Sequence, residues 1–306
     1  MKKMRKRFRD LPFKEKIKLF EEVFSRFTLG MGLFHGAALS FYLIFTLIPM
    51  LYLAINVIGS VVGRETVTLF INTQLTNYFG IDDFSAVLSF LESIKIGGGS
   101  GFSQVIGVFV LLFSCSAIFT SLKVSINYFY GIKPHFESGK KKFLVSLISR
   151  LISFALLAGV GILLVSTYVA QILFNSFGRI LLQEHVLMSK FWFTITQHGV
   201  SILFMSIFLT FVYRFLNDAV VKTRVAFIGA FYAAILLQVG QIILLHYMSV
   251  AYFAKSGNLL SVILIILAFV YYGSQAIFIG ASISAGYGEL IDEPIFSKYR
   301  LVKSTE

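Results

Sequence analysis

Charge is scarce in this chain. Only 14% of its 306 residues are Asp, Glu, Lys or Arg, against 57% hydrophobic residues and a mean hydropathy of +0.82. Soluble domains carry about 25% charged residues, so composition alone predicts a chain with much of its surface in lipid. One cysteine, Cys115, excludes an internal disulfide and any multi-cysteine zinc or iron–sulfur site. It lies in an apolar run and reads as a small packing residue. Acidic residues number 15, and none falls within an apolar run. Intramembrane carboxylates mark ion paths and proton relays, so their lack argues against a transporter driven by a buried carboxylate. No HExxH, GxSxG or clustered Asp/His set occurs, and metal-dependent hydrolysis needs such ligands. The sequence therefore predicts no enzyme, no cofactor and no metal. No cleavable signal peptide is visible, because about 30 basic and amphipathic residues precede the first apolar core.

The first long apolar run is His35–Ser60, without a single charged residue. About 20 helical residues span a bilayer, so this run is predicted to cross with some tilt as TM1 (35–60). Further spans are predicted at 102–122 (TM2, its helix continuing towards Tyr130), 151–174 (TM3), 191–213 (TM4), 225–248 (TM5) and 259–285 (TM6). The fold class is all-α, a polytopic membrane protein with six transmembrane helices. Residues 1–30 form a basic tail and an amphipathic interfacial helix, with Ile17, Phe20, Val23, Phe24 and Phe27 as its apolar stripe. Residues 31–286 form the transmembrane domain and 287–306 a cytoplasmic tail. Between TM1 and TM2, residues 64–100 are too polar to span and predict a helical hairpin at the outer surface. The glycine run at Gly97–Gly99 and Gly101 follows no strand, which argues against a phosphate-cradling loop.

With six spans, 22 of the 27 Lys and Arg residues fall on the side of the two termini and 5 on the other. The positive-inside rule then places both termini in the cytoplasm. The same asymmetry explains the net charge of +12 as topology rather than nucleic-acid affinity. The predicted partners are membrane lipids, with anionic lipid against the basic cytoplasmic face, and a homo-oligomer stays open.

The polar residues within the spans are neutral. Ser40, Tyr42, Thr46, Pro49 and Asn56 lie on TM1, and Ser116 and Thr120 on TM2. Gln238, Gln241 and His246 lie on TM5, and Tyr271, Gln275 and Ser282 on TM6. Two readings compete: ordinary interhelical hydrogen bonding, or the lining of a hydrated cavity of headgroup size. Pro49 bends TM1 and frees a carbonyl that needs a partner inside the protein. His198 and His246 are the only histidines well inside spans. Each is either a neutral, hydrogen-bonded packing group or a proton-linked site. The acidic set Glu289, Asp292 and Glu293 reads as a solvated helix end.

Four groups of residues resemble one family. They are His35-Gly36-Ala37-Ala38-Leu39-Ser40-Phe41-Tyr42 followed by Pro49, and Ser114 to Leu122 running on to Asn127 and Tyr130-Gly131-Ile132-Lys133. Arg224 with Gly229-Ala230-Phe231 and Ala233-Ala234 is the third, and Tyr271-Tyr272 with Gly280-Ala281 the fourth. In order and spacing they are similar to the YihY/virulence factor BrkB family over about residues 25–290. The resemblance implies a six-helix, multi-pass protein of the bacterial inner membrane, once labelled ribonuclease BN through a misassignment. Suggested roles are envelope integrity, serum resistance and transport of lipid or other solutes. Two positions depart from the pattern: Ser282 stands where relatives usually carry glutamate, and Phe215-Leu216-Asn217-Asp218 lacks the usual proline. The expected function is binding or translocation of a lipid or small solute through a neutral polar cavity on TM1, TM2, TM5 and TM6. The alternatives are a scaffolding envelope protein without substrate and, least favoured, a ribonuclease.

Overall fold

A computed structural model describes residues 13–53, 55, 59, 63–79, 85, 88–89, 117–132, 155, 159, 162, 166, 186–250 and 259–298. Most of TM2 and TM3, Asn56, Ser116 and the second arm of the outer hairpin lie outside the described residues. The described chain is almost entirely helical. The helices are α1 (Phe13–Leu29), α2 (Gly32–Leu53), α3 (Arg64–Phe79), α4 (117–129), α5 (Val186–Phe211), α6 (Thr223–Val250) and α7 (Leu259–Leu290). A π-helical turn, Val212–Leu216, ends α5. Two short strands, β1 (Ala219–Val220) and β2 (Phe296–Ser297), pair antiparallel, with Ala219 opposite Ser297 and Val220 opposite Phe296.

Length and composition make three described helices fit to cross a membrane: His198–Leu216, Thr223–Tyr247 and Leu260–Leu290. The bent pair Leu19–Leu29 and Gly32–Leu47 adds a fourth if it forms one span. At 1.5 Å per residue, the 28 residues of α6 and 32 of α7 reach about 42 and 48 Å, beyond the roughly 30 Å hydrocarbon layer. The 16 residues of α3 reach only about 24 Å, so α3 cannot cross. Rows of aromatic side chains stand outward on the long helices. Phe41 and Phe45 on α2, Phe211 and Phe215 at the end of α5, and Phe227 and Phe231 on α6 are all exposed, each pair one helical turn apart and in ring contact. A helix apolar on all sides suits lipid, where an outward phenyl ring carries no penalty.

The chain forms two compact units, with α6 and α7 contributing to both. One holds 1–32, 123–238 and 276–306; the other holds 33–122 and 239–275. The second has a core of Leu51, Val262, Ile265 and Ile266, against which Leu43, Leu47, Ile71 and Phe269 pack. The first has an aromatic centre. Phe129 of α4 stacks on Phe278 of α7 with centroids 5.1 Å apart, and Phe27 of α1 stacks on the same Phe129 at 6.3 Å. Offset aromatic pairs at such distances add about 0.5–1.5 kcal/mol beyond area burial.

Helix ends are set by local chemistry. Gly131 (φ +69°) closes α4, with Ile132 N–H donating to Asn127 C=O at 2.9 Å and Gly131 N–H to Tyr128 C=O at 2.9 Å. That double bond is the Schellman motif, and glycine suits its left-handed position. The end of α7 repeats it without glycine. Asp292 takes φ +57°, Glu293 N–H donates to Gly288 C=O at 2.8 Å, and Asp292 N–H to Glu289 C=O at 3.2 Å. Pro294 follows and cannot continue the helix.

The stripe expected on α1 divides. Val23 is buried and Leu19 and Val23 face Gly286, while Phe20 and Phe24 are exposed. Arg26 pairs with Glu22 and with Glu289, both at 2.6 Å. The inner face of α1 is thus pinned to the end of α7, and the outer face keeps two phenyl rings free. Two of the three carboxylates expected as a solvated helix end are in ion pairs: Glu289 with Arg26, and Glu293 with Lys222 at 2.9 Å. A solvated-end expectation fails there because the chain turns back and brings cations to them.

Candidate functional sites among neutral polar side chains

In the second unit, α2 and α7 meet at Gly36. A Cβ there would overlap the Gln275 side-chain nitrogen and stand 2.6 Å from Ser274 Oγ. Only glycine lets the Gln275 amide lie so close, which gives a physical reason for the glycine of the His35-Gly36 motif. Further along the same two helices' unit, the Tyr272 ring packs on Gly240 of α6, where a Cβ would again overlap it. The Gln275 side-chain nitrogen and oxygen are both buried and neither has a hydrogen-bond partner among the described residues. A buried, unbonded amide costs on the order of 1–3 kcal/mol by mutational measures, and more in a medium without water.

The other neutral side chains are placed differently. Ser40 and Thr46 are buried, and each donates to its own helix: Ser40 Oγ to Gly36 C=O at 2.9 Å and Thr46 Oγ1 to Tyr42 C=O at 2.6 Å. Ser282, fully buried in the first unit, donates to Phe278 C=O at 3.0 Å. In lipid a hydroxyl needs a partner, and the carbonyl four residues back is the nearest. Tyr42, Thr120, His246 and Tyr271 are exposed, and Gln241 is half-buried; all five belong to the second unit. Gln238 is half-buried in the first unit, as is His198. Pro49 lies in the helical run of α2. Nine of the described residues expected at the cavity therefore belong to one compact unit, and among these Gln275 alone has a wholly buried amide with no hydrogen-bond partner among the described residues.

The first unit holds two further features. One is a close crossing of α6 and α7 built from Gly229, Ala230, Ala233, Gly280, Ala281 and Ser284, all buried. A Cβ on Gly280 would stand 2.7 Å from the Gly229 carbonyl oxygen. Small residues four apart on both helices bring the backbones together, as membrane helices require without a hydrophobic drive. Tyr213 reaches this crossing from the π-helical turn and donates to Ile277 C=O at 2.5 Å. Tyr130 faces Ser284, yet neither of their buried oxygens reaches hydrogen-bonding geometry among the described residues.

The other is a polar hub where α4, the connection after α5 and the segment after α7 meet. Asn127 binds Asp218 twice, accepting from its backbone N–H at 3.0 Å and donating to its carboxylate at 3.1 Å. Lys123 completes the carboxylate's contacts at 2.8 Å. Asn217, fully buried, donates to Tyr213 C=O at 2.5 Å and accepts from Ala219 N–H at 3.1 Å. Lys298 donates its ammonium to Asn217 C=O at 2.6 Å, and burial lowers its pKa from the ordinary lysine value despite the neighbouring Asp218. The Asn217-Asp218 pair just past a span end was the available signal, since both side chains bond the backbone locally in turns. Among the described residues no three His, Cys, Asp or Glu gather to hold a metal.

Comparison with known families finds a match to the family model described as Virulence factor BrkB over residues 23–295. No curated protein and no solved structure matches significantly.

Proposed function

This chain belongs to the virulence factor BrkB family, and from that premise we propose that it binds and translocates a lipid or a small neutral solute across the bacterial inner membrane. In this reading six helices span the bilayer with both termini in the cytoplasm. The polar groups of TM1, TM2, TM5 and TM6 contact the cargo. The observation that carries it is the Gln275 amide, buried on α7 with donor and acceptor both unbonded among the described residues. Such a group is retained at a net cost to stability, and the headgroup of a polar lipid or a hydroxylated solute would satisfy it. Uncharged polar walls suit such cargo better than a charged one. The two phenyl rings on the outer face of α1, Phe20 and Phe24, support a second part of the proposal: α1 lies in the interfacial layer with basic residues towards anionic headgroups.

The test is reconstitution into vesicles with fluorescent lipid or a labelled solute inside. We expect flux from the wild-type protein and a loss of about tenfold or more in Gln275→Leu, which removes the amide but keeps the volume. The loss should come without a fall in thermal stability, because an apolar isostere is at least as stable there. Vesicles in which the wild-type protein moves neither probe would overturn the proposal. Such a protein recovered with a stoichiometric partner in mild detergent would point to a scaffold instead.

A further inference from the structure

One arginine in the first unit joins two outward aromatic rows. Phe211 and Phe215, at the end of α5, are exposed with ring centroids 4.6 Å apart. Phe227 and Phe231, on α6, are exposed and stacked at 6.3 Å. Arg214 stands between the rows. Its guanidinium carbon lies 5.2 Å from the centre of the Phe215 ring, and one of its N–H groups donates to the Thr223 hydroxyl. Thr223, Phe227 and Phe231 follow one another at intervals of four and share one side of α6. At 1.5 Å per residue, that row runs about 12 Å along the helix axis from Thr223 to Phe231. Phe211 lies one turn back from Phe215, so both rows start at the level of the cation and run into the apolar length of their helices.

An arginine at a span end ordinarily reaches for water on a free side chain. Arg214 is held on two sides, by a ring and by a hydroxyl. A guanidinium has five N–H donors, and the others find no partner among the described residues. Held in this way, its planar fork is set for two oxygens of a phosphate. The surroundings select against a zwitterionic headgroup. Lys222 and Arg224 are exposed close by in the chain, and they repel a quaternary ammonium. The neighbouring carboxylates already have cations, Asp218 in Lys123 and Glu293 in Lys222. We propose that Arg214 and the two phenyl rows bind one anionic glycerophospholipid of the cytoplasmic leaflet, the guanidinium donating to its phosphate and the rings flanking its acyl chains. The inference rests on the reading that α5 and α6 span the bilayer with this end in the cytoplasm, and not on what the protein moves.

The test places a fluorophore on the row. Full-length protein carrying Trp192→Phe, which removes the one native tryptophan, and Phe215→Trp is reconstituted into phosphatidylcholine vesicles. A minor fraction of the lipid is brominated in its acyl chains, either as phosphatidylglycerol or as phosphatidylcholine. We expect quenching several-fold stronger by the brominated phosphatidylglycerol. Adding Arg214→Gln should bring the two lipids level. Arg224→Gln removes the same charge about 100° round α6 from the Thr223 row and should keep most of the preference. Excess inorganic phosphate should displace no more lipid than sodium chloride of equal ionic strength. Equal quenching by both lipids in the parent protein overturns the proposal. So does a preference that Arg214→Gln leaves intact, one that Arg224→Gln reduces as much, or one that free phosphate abolishes. Quenching by neither lipid would overturn the spanning arrangement of α5, and the proposal with it.

Discussion

Replacing Gly280 by alanine should force α6 and α7 apart. The added Cβ would stand 2.7 Å from the Gly229 carbonyl oxygen, 2.6 Å from Ala233 Cβ and 2.5 Å from the Tyr213 hydroxyl, where ordinary contact begins at 3.4 Å. The shortfall is 0.7–0.9 Å, and none of the three neighbours can yield. The carbonyl is backbone, Ala233 has no rotamer to change, and the Tyr213 hydroxyl is fully buried and bonded to Ile277 C=O. A gap of that size forfeits a quarter to a half of each van der Waals contact it opens. Overpacking of this kind costs about 1–3 kcal/mol, and a strained or broken Tyr213 bond adds about 1–3 kcal/mol. Alanine's better helix propensity returns only about 0.5–1 kcal/mol. The net is a loss of roughly 2–4 kcal/mol, or on the order of 10 °C in Tm. Thermal unfolding of the purified protein in detergent measures it. Gly199→Ala is the control, since nothing lies within 4 Å of a Cβ there, and it should raise Tm slightly. A Gly280→Ala protein as stable as wild type, or a Gly199→Ala protein equally damaged, would refute the packing argument.

Other outcomes follow from the same geometry. Asn127→Ala leaves the Asp218 N–H and part of its carboxylate without a partner, so stability should fall by about 2–3 kcal/mol. Asn127→Asp should do worse by setting a second carboxylate against Asp218; protease nicking at residues 217–222 checks both. Asp292→Gly relieves a left-handed residue with φ +57°. It should raise stability by up to about 1 kcal/mol, read as a small increase in Tm.

Much of the helical frame was legible from apolar runs alone. The uncharged stretch from His35 and the long runs around 225–248 and 259–285 became α2, α6 and α7, because a run without charges has few places to go but lipid. The family was legible too, through the glycines of its motifs. Gly36 lies against Gln275, Gly131 closes α4, and Gly280 faces Gly229. Less legible was direction. On α1 all the apolar residues seemed to form one stripe, yet Val23 turns inward and Phe24 outward, since a helix beside lipid can be apolar on two sides. The connection at 214–224 read as a basic loop by charge count. Its order comes from Asn217 and Asp218 bonding to groups 91 residues away and nearby, and pairing over such distance leaves no local pattern. The neutral hydroxyls left two readings open, a cavity wall or ordinary hydrogen bonding; Ser40, Thr46 and Ser282 each donate to the carbonyl four residues back on their own helix.

The π-helical turn at Val212–Leu216 holds one more residue per turn than the helix it ends. That spare residue sets the rotation at which Tyr213 looks towards α7 and Asn217 arrives beneath Lys298. Chain length between Phe211 and Asn217 is therefore a fixed dimension rather than slack. Deleting a residue between Tyr213 and Asn217 would swing everything downstream by about 100°, pulling the Asn217 amide off the Tyr213 carbonyl, whereas a conservative exchange at the outward Phe215 would pass unnoticed.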